Sequence, residues 1–128
     1  MKHLWLRGAW RLEVLKPQVD DGGYDLVLEA NSIIRHVQLK SSFVGSTIAN
    51  VNVSMFLANK PSGCVVFMRF DPDTLALGPF AFFGSEPGKR LPEIGGMKVA
   101  RHTKGNAEGL KAPRPNIRAI PLSRFERL

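Results

Sequence analysis

Two short runs of strict alternation, Tyr24 to Ala30 and His36 to Lys40, constrain this chain more than any other stretch. In the first, Tyr24, Leu26, Leu28 and Ala30 alternate with Asp25, Val27 and Glu29; in the second, Val37 and Leu39 alternate with His36, Gln38 and Lys40. A period of two sends neighbouring side chains to opposite faces, so both runs read as β-strands. Asn31-Ser32 lies between them as a two-residue turn. A turn there sets Ala30 opposite Ile33, Leu26 opposite Val37 and Asp25 opposite Gln38, with Lys40 diagonal to Asp25 on one face. One face then carries Tyr24, Leu26, Leu28, Val37 and Leu39 and belongs to a core. The other carries Asp25, His36, Gln38 and Lys40, and four such residues in mid-sheet need a reason to be there.

Chemistry supplies one. A carboxylate and an amide oxygen, helped by a backbone carbonyl, can hold a hard divalent cation that keeps waters for reaction. A lysine beside that cation can orient an attacking water and steady charge on a phosphoryl oxygen. An acid, a hairpin and Gln-x-Lys in this order resemble the PD-(D/E)XK nuclease superfamily, whose fold is that of the type II restriction endonucleases. Asp25 stands at the superfamily's acid, and Gln38-Leu39-Lys40 at its (D/E)xK tripeptide. The Gln variant is similar to the type IV, methylation-directed restriction enzymes, where a Gly-Gly-x-Asp run precedes Gln-x-Lys as Gly22-Gly23-Tyr24-Asp25 does here. The wider pattern also resembles small bacterial proteins assigned to that superfamily, a likeness that names no substrate.

The resemblance implies an α/β restriction-endonuclease-like αβββαβ core, with a central mixed β-sheet flanked by helices. It implies a metal-dependent DNA endonuclease in which Asp25, Gln38 and Lys40 are catalytic. Mg²⁺ or Mn²⁺ would be held by Asp25, Gln38 and the Leu39 carbonyl. The superfamily's usual glutamate, from a helix ahead of the first strand, has no counterpart in residues 1–8; Glu13 and Glu29 are the nearest substitutes. Two further classes stay open beside the enzyme. One is a nuclease-fold protein that binds nucleic acid without cutting. The other is a small structural or interaction domain in which Asp25, Gln38 and Lys40 form a buried polar cluster.

Charge separates these classes from many others. Residues 1–88 hold eight Lys/Arg and eight Asp/Glu, whereas residues 89–128 hold ten Lys/Arg and three Asp/Glu, so the last third carries the entire net charge of +7. Such a segment suits phosphate backbones, and Arg101, Lys104, Lys111, Arg114 and Arg118 are the residues expected along one, with His102 among them. The alternative is a solvated basic tail.

With 128 residues and 44% hydrophobic content the chain is expected to form a single nuclease-like domain, with 1–88 as its core and 89–128 as a basic, Pro/Gly-rich segment. No apolar run approaches the ~20 residues of a membrane helix, and the amino terminus lacks a long apolar segment, which points to the cytoplasm. Cys64 is a lone thiol in an apolar run, and His3, His36 and His102 are scattered, so neither a disulfide nor a zinc set is expected. His36 reads more simply as a packing residue than as a ligand, and Asp20 and Asp21 as turn residues.

Along the chain, Met1 to Arg7 reads as the end of a helix and Trp10 to Leu15 as a first strand. Ser46 or Thr47 caps an expected helix with the stripe Ile48, Val51, Met55, Ala58. Cys64 to Phe70 is a buried strand, and Leu75 to Phe83 a strand interrupted by Gly78-Pro79. Ile117 to Ile120 adds a short strand, and Ser123 to Leu128 a last helical turn. Phe80, Phe82 and Phe83 suggest core packing and a homodimer contact.

Overall fold

A computed structural model describes residues 13–18, 22–101, 105, 109 and 112–128. The alternating runs form the hairpin their spacing predicts. β2 (Leu26–Ala30) and β3 (Ile33–Phe43) pair antiparallel, with Leu26 opposite Val37 and Ala30 opposite Ile33. Asn31 and Ser32 both take positive φ, 52° and 66°, as a type I′ turn requires. β1 (Glu13–Leu15), the described part of the expected first strand, lies along β2 and pairs Glu13 with Glu29.

β4 (Asn50–Ser54) leaves this sheet, and β5 (Gly63–Phe70) returns to it parallel to β3. Parallel neighbours need a crossover, commonly a helix; here the crossover runs through β4 and a short 3₁₀ turn at Leu57–Asn59. β6 (Leu77–Gly84) follows antiparallel to β5, with a cis Gly78–Pro79 bond and a register shift between Met68 and Phe70 where the sequence is interrupted. β7 (Lys98–Arg101) and β8 (Pro113–Pro121) complete a three-stranded sheet in the order β4-β8-β7. β9 (Glu126–Arg127) adds the last strand to a six-stranded sheet ordered β1-β2-β3-β5-β6-β9.

The expected αβββαβ core is therefore corrected to two layers of sheet. Among the described residues the helical elements are two 3₁₀ turns, Leu57–Asn59 and Leu122–Arg124, and the three-stranded sheet covers the larger one where helices were anticipated. The helix expected after Ser46 is instead β4: Val51 and Val53 are buried while Asn50 and Asn52 between them are exposed, an alternation of two. The last helical turn is corrected to a 3₁₀ turn followed by β9. The helix expected at Met1–Arg7 lies outside the described residues.

Packing also divides differently from the expected faces. The larger core joins Val51, Val53, Leu57 and Ile120 to Val65, Phe67 and Phe83, with Leu91 and Ile94 from the segment before β7. Leu26, Val37 and Cys64 form a smaller cluster. Because Val37 pairs with Cys64, and Val65 points to the other face, the major core lies on the same face as His36 and Gln38. Tyr24 packs against that major core and not with Leu26, and Leu39 is 37% exposed. Burying the nine residues of the major core supplies the chief driving force, each large side chain giving about 1.5–3 kcal/mol. Phe83 is among them, and β9 pairs along part of the outer edge of β6, so much of the apolar surface expected to join two copies is used within the chain.

No helix among the described residues is long and apolar enough to cross a membrane.

Candidate functional site

The hairpin brings Asp25 to the end of β2, where it bonds to β3. Asp25 N–H donates to the Val37 carbonyl at 2.8 Å, and the Asp25 carboxylate accepts the Leu39 N–H at 2.6 Å. These contacts fall one residue to either side of Gln38, its expected partner. The carboxylate thus serves as the acceptor that a continuing β2 would have offered to β3. No ion pair links Asp25 to Lys40 among the described residues; the ion pair found there is Lys89 with Glu86.

Gln38 is half-buried, and its Oε1 is enclosed without a hydrogen-bond partner. His36 is a packing residue in geometry: its Nδ1 lies 2.8 Å from the Pro61 carbonyl, and its ring meets Tyr24 edge-on at 4.9 Å. Glu29 stands four positions along β2, about 13 Å from Asp25 at strand spacing, and Glu13 pairs with Glu29. Neither reaches the Asp25 end of the hairpin.

This donor set is a poor fit to Mg²⁺ or Mn²⁺. A hard cation of this kind wants several oxygen ligands and compensating charge. Asp25 brings one carboxylate, with an oxygen already engaged by Leu39, and Gln38 and the Leu39 carbonyl bring no charge. Among the described residues no group of three or more His, Cys, Asp or Glu side chains converges.

The three-stranded sheet is a different surface. β4, β7 and β8 together carry Lys98, Arg101, Arg114 and Arg118 and no carboxylate. Lys98 is exposed and pairs with Ala119, which pairs in turn with Asn52, so Asn52 and Lys98 share the outward face opposite Val51 and Val53. Arg101 pairs with Pro113 and Arg114 with Ala100, which puts two exposed arginines at one end of the ladder, on alternate faces of it.

Arg118 has a separate task. Between Val99 and Ala100 the pairing jumps from Arg118 to Arg114, leaving residues 115–117 as a bulge. The Arg118 guanidinium folds over that bulge and donates to the Pro115 carbonyl, with longer contacts of 3.5 Å to the Ile117 and Gly95 carbonyls. It holds the bulge in shape. Lys104, Lys111 and His102 lie outside the described residues. Lys98 was not singled out in the sequence; the signal for it was the acid-free run from Met97 to Lys104.

No protein-family model, curated protein or solved structure matches this chain.

Proposed function

We propose that this protein binds nucleic acid through the phosphate backbone, on the sheet that presents Lys98, Arg101 and Arg114, and does so without cutting it. The observation that carries this reading is a whole three-stranded sheet with four cations and no carboxylate. Clustered Lys and Arg on one surface are the electrostatic footprint of phosphate contact. Asn50 and Asn52, exposed on β4, add neutral hydrogen-bonding groups of the kind that touch phosphate and sugar. Non-catalytic binding agrees better with the hairpin than hydrolysis does, because Asp25 brings one carboxylate, and that group also completes the hydrogen bonding of β3.

Fluorescence anisotropy with labelled single-stranded and duplex DNA, across a salt series, tests this reading. Binding at low salt that weakens steeply as salt rises is the expected result. Absence of binding at low salt would overturn it. A parallel incubation with Mn²⁺ separates binding from hydrolysis: cutting by the wild type that disappears in both Asp25→Ala and Lys40→Ala would restore the nuclease reading.

A further inference from the structure

β9 closes against the outer edge of β6 and leaves, beside the turn after β8, a hollow of about 230 Å³. One face of the larger sheet supplies its lining. Phe67 pairs with Ala81 and Ala81 with Arg127, so these three side chains point the same way. Arg69, two residues on from Phe67, and Phe125, two before Arg127, line the hollow with them, and Leu122 completes an apolar wall. The Phe125 ring is fixed there by Phe83, with centroids 5.4 Å apart, and by Phe67 at 6.5 Å.

The charge at this hollow has one sign. Glu126 pairs with Phe82 and so turns to the opposite face, and no acidic side chain lines the hollow. Arg127 is exposed, and its guanidinium joins no ion pair among the described residues. The Arg69 guanidinium lies 5.4 Å from the Phe67 ring centre and reaches the Phe43 and Ser46 carbonyls at 3.4 Å. Both of those long contacts come from Nη1, which leaves Nε and Nη2 for a ligand. Two guanidiniums beside apolar walls focus their field on whatever enters. An anion with several acceptor oxygens is the group that answers it.

We propose that this hollow is a subsite for the phosphate monoester at the end of a nucleic-acid strand, gripped between Arg69 and Arg127. The proposal rests on the phosphate-binding reading and adds a place where a strand end is held. Charge separates an end from a passing link. A phosphodiester carries one negative charge, whereas a phosphate monoester carries about −1.5 to −2 at neutral pH and offers three acceptor oxygens, which matches two guanidiniums. Size points the same way: pockets for drug-sized ligands run to ~300–1,000 Å³, and this smaller one takes a single group and not a run of backbone. β8 carries the chain from Arg114 to Leu122 at the hollow, eight steps or at most about 26 Å. At ~3.4 Å per phosphate along one strand, about eight nucleotides reach from the acid-free sheet to the hollow.

The test uses the full chain and a single strand of about twelve nucleotides, labelled internally, with a phosphate at its 5′ end, at its 3′ end or at neither. Inorganic phosphate and dAMP are the free competitors. In anisotropy titrations, wild type should bind the strand phosphorylated at one of its ends about tenfold tighter than the strand with no end phosphate. Arg127→Ala, at an exposed position, should lose that preference and bind the unphosphorylated strand as wild type does. Arg69→Gln should lose it as well, and carries the test if Arg127→Ala does not fold. Equal binding of all three strands by wild type would overturn the subsite while leaving phosphate binding intact. A preference that survives in folded Arg127→Ala or Arg69→Gln would put the strand end elsewhere and overturn it too. Inorganic phosphate or dAMP binding as tightly as the phosphorylated strand would make this a free-anion site and reject the strand assignment. No binding to any nucleic acid would remove both readings together.

Discussion

The Asp25 carboxylate and the Leu39 amide are joined across the end of the first hairpin at 2.6 Å. An acid that a motif would assign to a metal is, in this chain, the acceptor for an N–H that β2 has left behind. A backbone donor at a strand end otherwise has to find water.

Replacing Asp25 with Ala removes that acceptor, so stability should fall by about 1 kcal/mol, water replacing part of the bond because Asp25 is exposed. Asp25→Asn keeps an acceptor and should melt closer to wild type. For a chain of this size the Ala variant should lose about 4 °C in Tm. Equal melting of wild type and Asp25→Ala by calorimetry would show that the bond contributes nothing.

Gly23 should tolerate substitution far less than Gly45, although both have positive φ, 78° and 91°. A Cβ at Gly23 would come within 2.7 Å of Ser54 Oγ and 2.8 Å of the Leu57 nitrogen, whereas one at Gly45 meets nothing within 4 Å. Gly45→Ala should cost about 1–2 kcal/mol, from the left-handed backbone alone. Gly23→Ala should cost roughly twice that or more, since it also pushes the hairpin entry off β4 and the 3₁₀ turn. Chemical denaturation that finds equal losses would refute this ordering.

Lys98→Ala and Arg114→Ala should each reduce the slope of log affinity against log salt by about 0.7 on single strands, one counterion per lost contact. Arg118→Ala should instead lower Tm by loosening the bulge at residues 115–117, with a smaller effect on that slope. Identical slopes for wild type and the Lys98 and Arg114 variants would remove those two residues from the phosphate path.

Asp71 sets the acid sensitivity of the turn between β5 and β6. The N–H groups of Asp73, at 2.8 Å, and Thr74, at 3.2 Å, point at its Oδ1 and hold its carboxyl below the usual value. A folded pKa below the unfolded one means that the carboxylate stabilises the fold above the unfolded value, and that this is lost as pH falls through the folded value. The Tm gap between wild type and Asp71→Ala should therefore be present at neutral pH and close as pH drops below ~3.9, the ordinary aspartate range. A gap that does not change between neutral and strongly acidic pH would count against it.

The hairpin was legible because two independent signals, alternation and a two-residue turn, agree on one register. β4 was not, because Ile48, Val51, Met55 and Ala58 also fall at helical spacing. The competing Asn-Val-Asn-Val alternation was the one that burial obeyed: a second sheet, not a helix, packs on Val65 and Phe67. The Asp25 bond was hidden for a related reason, since an extrapolated ladder cannot show that β2 begins only at Leu26. Arg69 and Arg127 could not be grouped from spacing, because they come to line one hollow only when β9 closes onto β6. An aromatic between cations at Arg124-Phe125-Glu126-Arg127 was the local hint.

The crossover through β4 has a consequence for how the chain must assemble. β5 cannot settle beside β3 until the chain between them has gone out to a strand whose partner, β8, lies more than fifty residues further on. Most contacts join residues at least twelve apart in sequence, so the chain belongs with slow folders, on the millisecond-to-second scale typical of non-local β topologies. Cutting between Gly84 and Lys98 would strand β4 without β8 in one fragment and leave β7 and β8 without a floor in the other. Neither half is then a free-standing unit.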